Sequence, residues 1–534
     1  MKKLHVILIA ATTLVLGFII GTRVMSKMWR KQAVKLEYAI RTTNRANKIN
    51  TLISAIDQLY VDSVDVDTLI EAALPVILNK LDPHSAYYPA EEAQESNDEL
   101  QGSFSGIGIQ FSMQDDTIHV NNVIHGGPSE KVGVLAGDRI IYIDDSLFAG
   151  KNIPSNDVVK NLKGPSGTDV KIGVLRPGDE GIIDFTIERG PIPVKSVDAA
   201  YMIGNGIGYI ELNKFGETTY AEMMAGMAQL MSEDCRKIII DLRNNTGGYL
   251  GTAIQIVNEF LPKGEMIVYT KGLHSEYAAE YANGRGRFQK IPMVVLIDEI
   301  SASASEIVTG AIQDNDRGTI VGRRSFGKGL VQQPLDFQDG SSIRLTIARY
   351  YTPSGRCIQK PYGQGDEAYQ MDIFNRYAHG EFFSADSVKF DESQVFTTKS
   401  GRKVYGGGGI MPDVFVPQDT LPYNEYYSSI VRKSLANIYS LKYVDSHRSE
   451  LKGLDWKQVT QFLKDRNVFS DFLRYAADKG VARPASVPAE ITEQLERIMT
   501  AAILYDALDM SEYMAYINSF DTTVLKAVEI LEQE

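Results

Sequence analysis

Apolar and polar positions alternate with two different spacings along the chain, and the changes of spacing divide it into predicted segments. In residues 35 to 95, apolar residues recur three and four positions apart, as in DTLIEAALPVILNKL, which is the spacing of a helix with one apolar face. Asp82-Pro83-His84 then breaks the helical pattern. The spacing predicts a small helical cap over residues 31–97.

The central part of the chain changes to strand patterns. Short strands separated by glycines fill residues 98–192 and predict a small separate domain. Over residues 193–420, apolar strands such as KIIIDL and PMVVLIDE alternate with helices such as TYAEMMAGMAQLMS. This alternation indicates βαβ units, an α/β core and a largely parallel sheet. Residues 360–405 form a polar, aromatic-rich insertion in this core, with little periodicity and no assigned function.

Helical spacing returns after residue 420 and ends in VLKAVEILEQE. We predict a helical C-terminal extension over residues 421–534. Because amphipathic helices usually face their own core, we expect packing on the core, and a subunit interface is the alternative.

An apolar run near the start of the chain predicts a membrane anchor over residues 1–30. Residues 4–22, LHVILIAATTLVLGFIIGT, contain no Asp, Glu, Lys or Arg, and a span of roughly 20 apolar residues crosses a bilayer. A cleaved signal peptide is the alternative, although no small-x-small cleavage site is clear. Because Lys2 and Lys3 precede the run and four basic residues follow it, the positive-inside rule alone would place the rest of the chain in the cytoplasm.

Charge and composition exclude several classes of function. The net charge of -13 disfavours broad nucleic-acid binding, which requires clustered Lys and Arg. The two cysteines, Cys235 and Cys357, cannot form a disulfide framework, and the seven histidines are scattered. We therefore expect no metal site, and no nucleotide or organic cofactor is implied.

The stretch SASASEIVTGAIQDNDRGTIVGRRSFGKGLVQ, residues 301–332, contains the candidate chemistry. Ser303 and Glu306 fit a capping box, and a helix cap alone would explain them. However, a serine that follows a buried strand at a helix N-terminus lies where N–H groups stabilise negative charge. A serine nucleophile needs a base. No histidine lies in this stretch, so Lys328 is the remaining candidate; a surface lysine in a glycine turn is its alternative interpretation.

Several motifs in order resemble the carboxyl-terminal processing peptidases, also called tail-specific proteases, over roughly residues 60–415. The motifs are Asp241 to Gly248 (DLRNNTGG), Ser301 to Glu306, Gln313-Asp314-Asn315, Phe326 to Gly329, Val331-Gln332, Tyr351 to Gly355 and Gly407 to Asp413. The resemblance implies a multidomain α/β (α+β) fold with a protease core of the crotonase and ClpP type.

The glycine-punctuated domain is similar to a PDZ domain of the bacterial, circularly permuted kind. The similarity rests on Gly106-Ile107-Gly108-Ile109 and on the later Ala136 to Ile140 segment (AGDRI). In that resemblance, the loop of Gly106, Ile107, Gly108 and Ile109 presents N–H groups to a peptide carboxylate, and a sheet edge accepts the peptide as an added strand.

Site residues follow from the resemblance, motif by motif. It implies that Ser303 is the nucleophile, Lys328 the general base and Gln332 the residue that orients the lysine amine. The implied oxyanion hole uses the N–H groups of Ala304 and of a glycine in the Gly247-Gly248 turn, with Gly248 preferred. Ser301 and Ser305 compete with Ser303. Asp314 aligns with an acid discussed in some relatives, and a structural role at a helix end is the alternative.

Two segments depart from the family pattern. Asp298-Glu299-Ile300 stands where relatives commonly have Asn-x-Gly, and this change bears on the approach to the serine. The insertion over residues 360–405 occupies a segment that is often shorter.

The implied function is a serine endopeptidase with a Ser-Lys dyad that cleaves envelope proteins near their C-terminus. The family is exported, which implies a catalytic part on the extracytoplasmic side, anchored to the cytoplasmic membrane. Expected partners are protein substrates with exposed C-termini, and a homo-oligomer or an adaptor is allowed. A non-catalytic PDZ scaffold is the alternative. A crotonase-like acyl enzyme is a third option, which acyl-CoA binding would distinguish.

Overall fold

The computed structural model describes residues 47–176 and 178–533, which fall into two compact units divided after Leu81. The first unit contains helices α1 (Lys48–Leu59) and α2 (Val66–Leu78). The Asp65 carboxylate caps α2 by accepting a hydrogen bond from the Asp67 N–H. The predicted anchor at residues 4–22 lies outside the described residues, and within the described ranges no helix has the length and apolarity needed to span a bilayer.

A six-stranded sheet forms the centre of the second unit, in the order β10, β11, β12, β15, β16, β21. Only β10 is antiparallel to its neighbour. The strands are β10 (Val197–Gly204), β11 (Ile207–Leu212), β12 (Lys237–Asp241), β15 (Met293–Ile297), β16 (Thr319–Gly322) and β21 (Val414–Phe415). β12 and β15 read as continuous apolar runs because both of their faces are buried.

Helices cover both faces of this sheet. On one face, α6 (Thr219–Ser232), α7 (Leu250–Asn258) and α8 (Ala304–Asp314) pack against side chains such as Ile240 and Val295. On the other face, the last helix, α17 (Thr522–Gln533), packs against side chains such as Tyr209 and Leu296. The C-terminal extension therefore contributes to the core, as its apolar pattern predicts.

An antiparallel sheet lies beside the central sheet and includes the strand that follows Lys328. In it, β18 (Ser342–Tyr351) pairs with β17 (Leu330–Asp336), β1 (Ala86–Tyr88) and β13 (Met266–Lys271), and β13 pairs with β14 (Ala278–Tyr281). The insertion after residue 360 folds into α9 (Asp366–Gln370), α10 (Asp372–Ala378) and a hairpin of β19 (Val395–Thr397) and β20 (Lys403–Tyr405). It thus has regular structure that its sequence pattern does not predict.

The glycine-punctuated domain is a sheet with its own core. Its strand order is β3, β4, β5, β7, β8, with β6 paired to β5. The chain enters through α3 (Ala90–Gln101) and β2 (Ser103–Gly106) and leaves through β9 (Gly190–Pro193), which pairs with β2. The remaining elements are β3 (Ile109–Gln114), β4 (Thr117–Val123), α4 (Pro128–Val132), β5 (Arg139–Ile143), β6 (Ser146–Leu147), α5 (Ser155–Leu162), β7 (Asp169–Leu175) and β8 (Ile182–Glu188).

Six helices before α17 pack around a separate apolar core that includes Phe472, Leu495 and Ile503. They are α11 (Glu425–Arg432), α12 (Leu435–Leu451), α13 (Trp456–Asp465), α14 (Val468–Asp478), α15 (Ala489–Ala507) and α16 (Met510–Asn518).

Candidate active site

Ser303 occupies a strained backbone position between β15 and α8. Its φ of 57° and ψ of -113° lie in a region that non-glycine residues rarely adopt. The Ser303 N–H donates to the Glu306 carboxylate at 2.9 Å, and the Tyr350 hydroxyl donates to the Ser303 carbonyl oxygen at 3.0 Å. Contacts on both sides of the residue therefore hold it in this conformation.

The two competing serines have structural partners. The Ser301 hydroxyl donates to the Leu242 carbonyl oxygen at 2.7 Å, and the Ser305 hydroxyl donates to the Asn245 carbonyl oxygen at 2.8 Å. Both residues are fully buried, whereas Ser303 is partly exposed. Of the three alternating serines, Ser303 is thus the one with solvent access.

Glu306 joins the Ser303 and Lys328 segments. One carboxylate oxygen, Oε2, accepts from the N–H groups of both Ser303 and Lys328, at 2.9 and 2.8 Å. The other oxygen, Oε1, accepts from the Gly327 N–H and the Ser325 hydroxyl. Glu306 is therefore more than a helix cap, because it fixes the Lys328 loop against the helix that begins after Ser303.

The Glu306 side chain is fully buried, and this burial raises its pKa to about 7 despite the hydrogen bonds that favour the charged form.

Buried Tyr350 forms a second link between the Ser303 and Lys328 segments, because its hydroxyl contacts the carbonyl oxygens of both residues. The sequence motifs give no sign of this tyrosine, which arrives from β18.

The Lys328 amine donates to Gln332 Oε1 at 3.0 Å. Burial lowers the pKa of Lys328, nearby Arg344 lowers it further, and the negative charges of Glu306 and Asp82 oppose the shift. A lowered pKa increases the fraction of neutral amine, which is the form that can accept a proton.

The glycine turn before α7 lies directly against the serine. A Cβ added to Gly247 would be 2.7 Å from Ser303 Cβ and 2.9 Å from the Ala304 nitrogen, and Gly247 has a φ of 105°. Ala304 is the first residue of α8, so its N–H has no acceptor within the helix. The Gly247 N–H donates to Asn245 Oδ1 at 2.9 Å, while Gly248 pairs with Phe215 in an isolated parallel β-bridge.

A histidine from a distant part of the chain lies close to Lys328, although residues 301–332 contain none. His84 lies 248 residues before Gln332, yet its carbonyl oxygen accepts a hydrogen bond from Gln332 Nε2. The His84 ring lies edge-on to Phe326 and bonds through Nε2 to the Tyr369 hydroxyl at 2.7 Å. Burial and the Lys328 charge lower the His84 pKa to about 4, although Asp82 opposes the shift. The local pattern could not place Asp82-Pro83-His84 because the antiparallel sheet brings it here.

Two further acids have structural partners. Asp314 accepts from Arg356 Nη2 at 2.7 Å and from the Ser354 N–H at 3.1 Å. Asp298 accepts from the N–H groups of Asn244, Ile300 and Ser301, so the departure at 298–300 forms an ordered turn before the serine.

The predicted peptide-binding loop lies at an edge of the small domain, away from the serine in sequence. β3 is the end strand of its sheet, and Gly106 to Ile109 connect it to β2. The carbonyl oxygens of Ile107 and Gly108 accept from Ser129 and Ile124, which fixes the loop. Helix α5 packs Val158 and Leu162 into the same apolar core as Ile107. An end strand beside a helix can accept an extended peptide.

The arrangement can support acyl transfer at the serine. Ser303 is partly exposed, and the nearby Lys328 has a lowered pKa and a hydrogen bond to the Gln332 side-chain amide. The free N–H of Ala304, at the N-terminus of α8, follows the serine.

Three family models match the chain. Peptidase family S41 matches residues 206–367, the PDZ domain matches residues 105–187, and a family of unknown function, DUF8443, matches residues 426–509.

Similar proteins were found among curated sequences and solved structures. A carboxy-terminal-processing protease of Bartonella bacilliformis is 37% identical over 337 residues, which cover 61% of this chain and 76% of the relative. Carboxy-terminal processing protease CtpB of Bacillus subtilis is 33% identical over 59% of this chain and 65% of its own length. The photosystem II D1 C-terminal processing protease structure is 24% identical, with a TM-score of 0.35, over 69% of this chain and 92% of that one.

Proposed function

This chain belongs to the carboxy-terminal-processing protease family, and from that premise we propose that it is a serine endopeptidase that uses a Ser303-Lys328 dyad on envelope proteins. The observation that carries the proposal is the shared Glu306 oxygen, which accepts from the main chains of Ser303 and Lys328, while Gln332 holds the lysine amine. A helix cap alone would need no such link to a lysine.

In the proposed reaction, the neutral Lys328 amine removes the proton from the Ser303 hydroxyl as its oxygen attacks the scissile carbonyl carbon. The negative oxygen of the tetrahedral intermediate is held by the N–H groups of Ala304 and Gly248. We assign Gly248 rather than Gly247 because the Gly247 N–H is already bonded to Asn245.

Collapse of the intermediate breaks the peptide bond, and the Lys328 ammonium returns its proton to the departing amine. Ser303 is then an ester of the substrate. A water molecule loses a proton to Lys328 and attacks this ester, which releases the acid and restores the serine hydroxyl.

The PDZ domain would capture the substrate tail. A peptide added along β3 would place its C-terminal carboxylate at the N–H groups of the Gly106–Ile109 loop, with its last side chain toward α5. Such recognition would favour apolar tails, because Ile107 of the loop shares an apolar core with Val158 and Leu162 of α5.

We place the catalytic part on the extracytoplasmic side of the membrane, with residues 1–30 as its anchor, from the family resemblance and the apolar run at residues 4–22. A C-terminal fusion to a reporter that is active only outside the cytoplasm should be active. Activity confined to a cytoplasmic reporter would reverse the orientation.

The dyad is tested with the full chain purified in detergent and an unfolded protein substrate that ends in apolar residues. The parent should cleave it, whereas Ser303→Ala and Lys328→Ala should lose at least about 1,000-fold in kcat. Ser305→Ala serves as the matched serine control and should cleave far faster than Ser303→Ala, since the Ser305 hydroxyl bonds to the Asn245 carbonyl oxygen and takes no part in the dyad. No cleavage by the folded parent would favour a peptide-binding scaffold, and cleavage by Ser303→Ala would exclude the dyad.

A further inference from the structure

The orientation of the Gln332 amide depends on His84. The carboxamide of glutamine has an acceptor end and a donor end, and rotation by 180° exchanges them. Gln332 directs its oxygen to the Lys328 amine and its NH₂ group to the His84 carbonyl oxygen. Because a carbonyl oxygen only accepts hydrogen bonds, His84 fixes the end of the amide that faces the lysine.

The His84 segment is itself anchored on one side by a buried turn. Asp82 Oδ1 accepts from the N–H groups of His84 and Ser85, at 2.9 and 2.8 Å. The same oxygen accepts from the Thr346 hydroxyl, which ties the turn to β18. These bonds set the main chain but leave the imidazole ring to other contacts.

Tyr369, from the insertion, anchors the ring of His84. Its hydroxyl lies 2.7 Å from His84 Nε2, and its ring packs edge-on against both His84 and Phe326. The lowered pKa of His84 keeps the imidazole neutral at neutral pH, so Nε2 can accept a hydrogen bond from the tyrosine hydroxyl. Tyr369 is buried, with 3% of its surface exposed.

The rest of the insertion clamps the segment that leads to Lys328. Buried Arg376 donates to the carbonyl oxygens of Arg324 and Ser325, and Glu381 pairs with both Arg376 and Arg324. Lys360 places its ammonium 3.9 Å from the centre of the Phe326 ring and 4.2 Å from that of Tyr369. The insertion thus directly contacts residues 324–326, which lead to Lys328.

We propose that the insertion over residues 360–405 is part of the catalytic apparatus, with Tyr369 and His84 as positioning residues that hold Gln332 and, through it, the Lys328 amine. This inference rests on the proposed function, because it concerns how the base of that reaction is oriented. The hydrogen-bonded series runs from Tyr369 through His84 and Gln332 to Lys328.

The test is a double-mutant cycle on the full chain in detergent, with a peptide substrate that gives kcat and KM separately. Tyr369→Phe keeps the ring and removes only the hydroxyl. Loss of one positioning hydrogen bond should lower kcat about 3- to 10-fold and leave KM unchanged. In a Gln332→Ala background, Tyr369→Phe should cause no further decrease, since the residue through which it acts is absent.

Tyr362→Phe is the matched control, because Tyr362 belongs to the same insertion and its hydroxyl accepts from Arg349 instead. Its kcat should equal that of the parent. His84→Gln, which keeps the main-chain carbonyl, provides a second variant and should lower kcat only when Gln332 is present.

Two results would overturn the positioning role while Ser303→Ala remains inactive. One is an equal loss of kcat from Tyr369→Phe in the parent and in the Gln332→Ala variant, and the other is an unchanged kcat in Tyr369→Phe. Activity in Ser303→Ala would instead overturn the proposed dyad, so the two failures are distinguishable. A raised KM with unchanged kcat would also overturn the inference, because it would assign Tyr369 to substrate binding.

Discussion

The Glu306 carboxylate shows how one fully buried side chain can hold two segments of a site together. Each of its oxygens accepts two hydrogen bonds, one pair from Ser303 and Lys328 and the other from Ser325 and Gly327. Only a carboxylate has acceptors at both ends, so the segment after β16 and the start of α8 depend on the same side chain.

We expect Glu306→Gln to destabilise the protein and abolish cleavage. The amide NH₂ group would face two donors and leave them without an acceptor, at a cost of about 1–3 kcal/mol each. Urea unfolding and peptide hydrolysis measure the two effects, with Glu180→Gln in an exposed loop as the control. An unchanged unfolding free energy would show that Glu306 does not hold the two segments together.

The lowered pKa of Lys328 predicts the pH dependence of cleavage. Only the neutral amine can accept the serine proton, so kcat/KM should rise with pH as Lys328 loses its proton. Since burial lowers the pKa, the midpoint of the rise should fall below 10.5, the ordinary value for lysine. A pH profile of kcat/KM on a short peptide tests this, and a rise centred at or above 10.5 would contradict it.

At the scale of elements, the turn from Asn245 to Gly248 lies so close to the start of α8 that no side chain fits at Gly247. Three donors of the serine loop, the Ala302 N–H and the Ser301 and Ser305 hydroxyls, bond to the carbonyl oxygens of residues 242 and 245. The alternating serines thus join two loops at the carboxyl ends of β12 and β15, which are parallel neighbours.

Gly247→Ala should reduce kcat/KM by at least about 100-fold, since a 1 Å misplacement of reacting groups can cost that much. The added Cβ would lie 2.7 Å from Ser303 Cβ and 2.8 Å from the Ala302 oxygen, at a φ that alanine disfavours. Gly251→Ala is the control in the adjacent helix α7, where an added Cβ meets no atom within 4 Å. Full activity in Gly247→Ala would place the oxyanion hole elsewhere.

At the scale of the whole molecule, helix α17 covers one face of the central sheet. Val524, Ala527 and Leu531 are buried against one face of it, opposite the face that carries α6, α7 and α8. Arg243, within the DLRNN motif, also pairs with Asp521 at 2.8 Å. The C-terminal end of the chain is therefore tied to the segment that leads to the glycine turn.

We predict that Leu531→Ala lowers the unfolding free energy by about 2–5 kcal/mol, because it leaves a cavity against the sheet. Leu525→Ala, in the same helix with 48% of its surface exposed, should cost far less. Urea denaturation of both variants provides the comparison. Equal effects would mean that α17 is not part of the cooperative core.

The sequence by itself determined the main elements of the central core and led to the proposal of Ser303 and Lys328 as a dyad. Helical spacing in TYAEMMAGMAQLMS gives α6 at Thr219–Ser232, and the apolar runs give β12 and β15, because both patterns depend on neighbours within a few residues. The expected α/β core with a PDZ domain is confirmed. Ser303 and Lys328 could be paired because one helix and one strand separate them.

Only the tertiary structure decided how those residues are held. His84 and Tyr369 are 285 residues apart, so the pattern of neighbouring residues gives no indication of their contact. Their contact depends on the pairing of β1 with β18 and on the packing of an insertion whose polar surface gives no regular pattern. Long-range pairing of this kind is set by the burial of whole elements, so the positioning residues become visible only once the chain is folded.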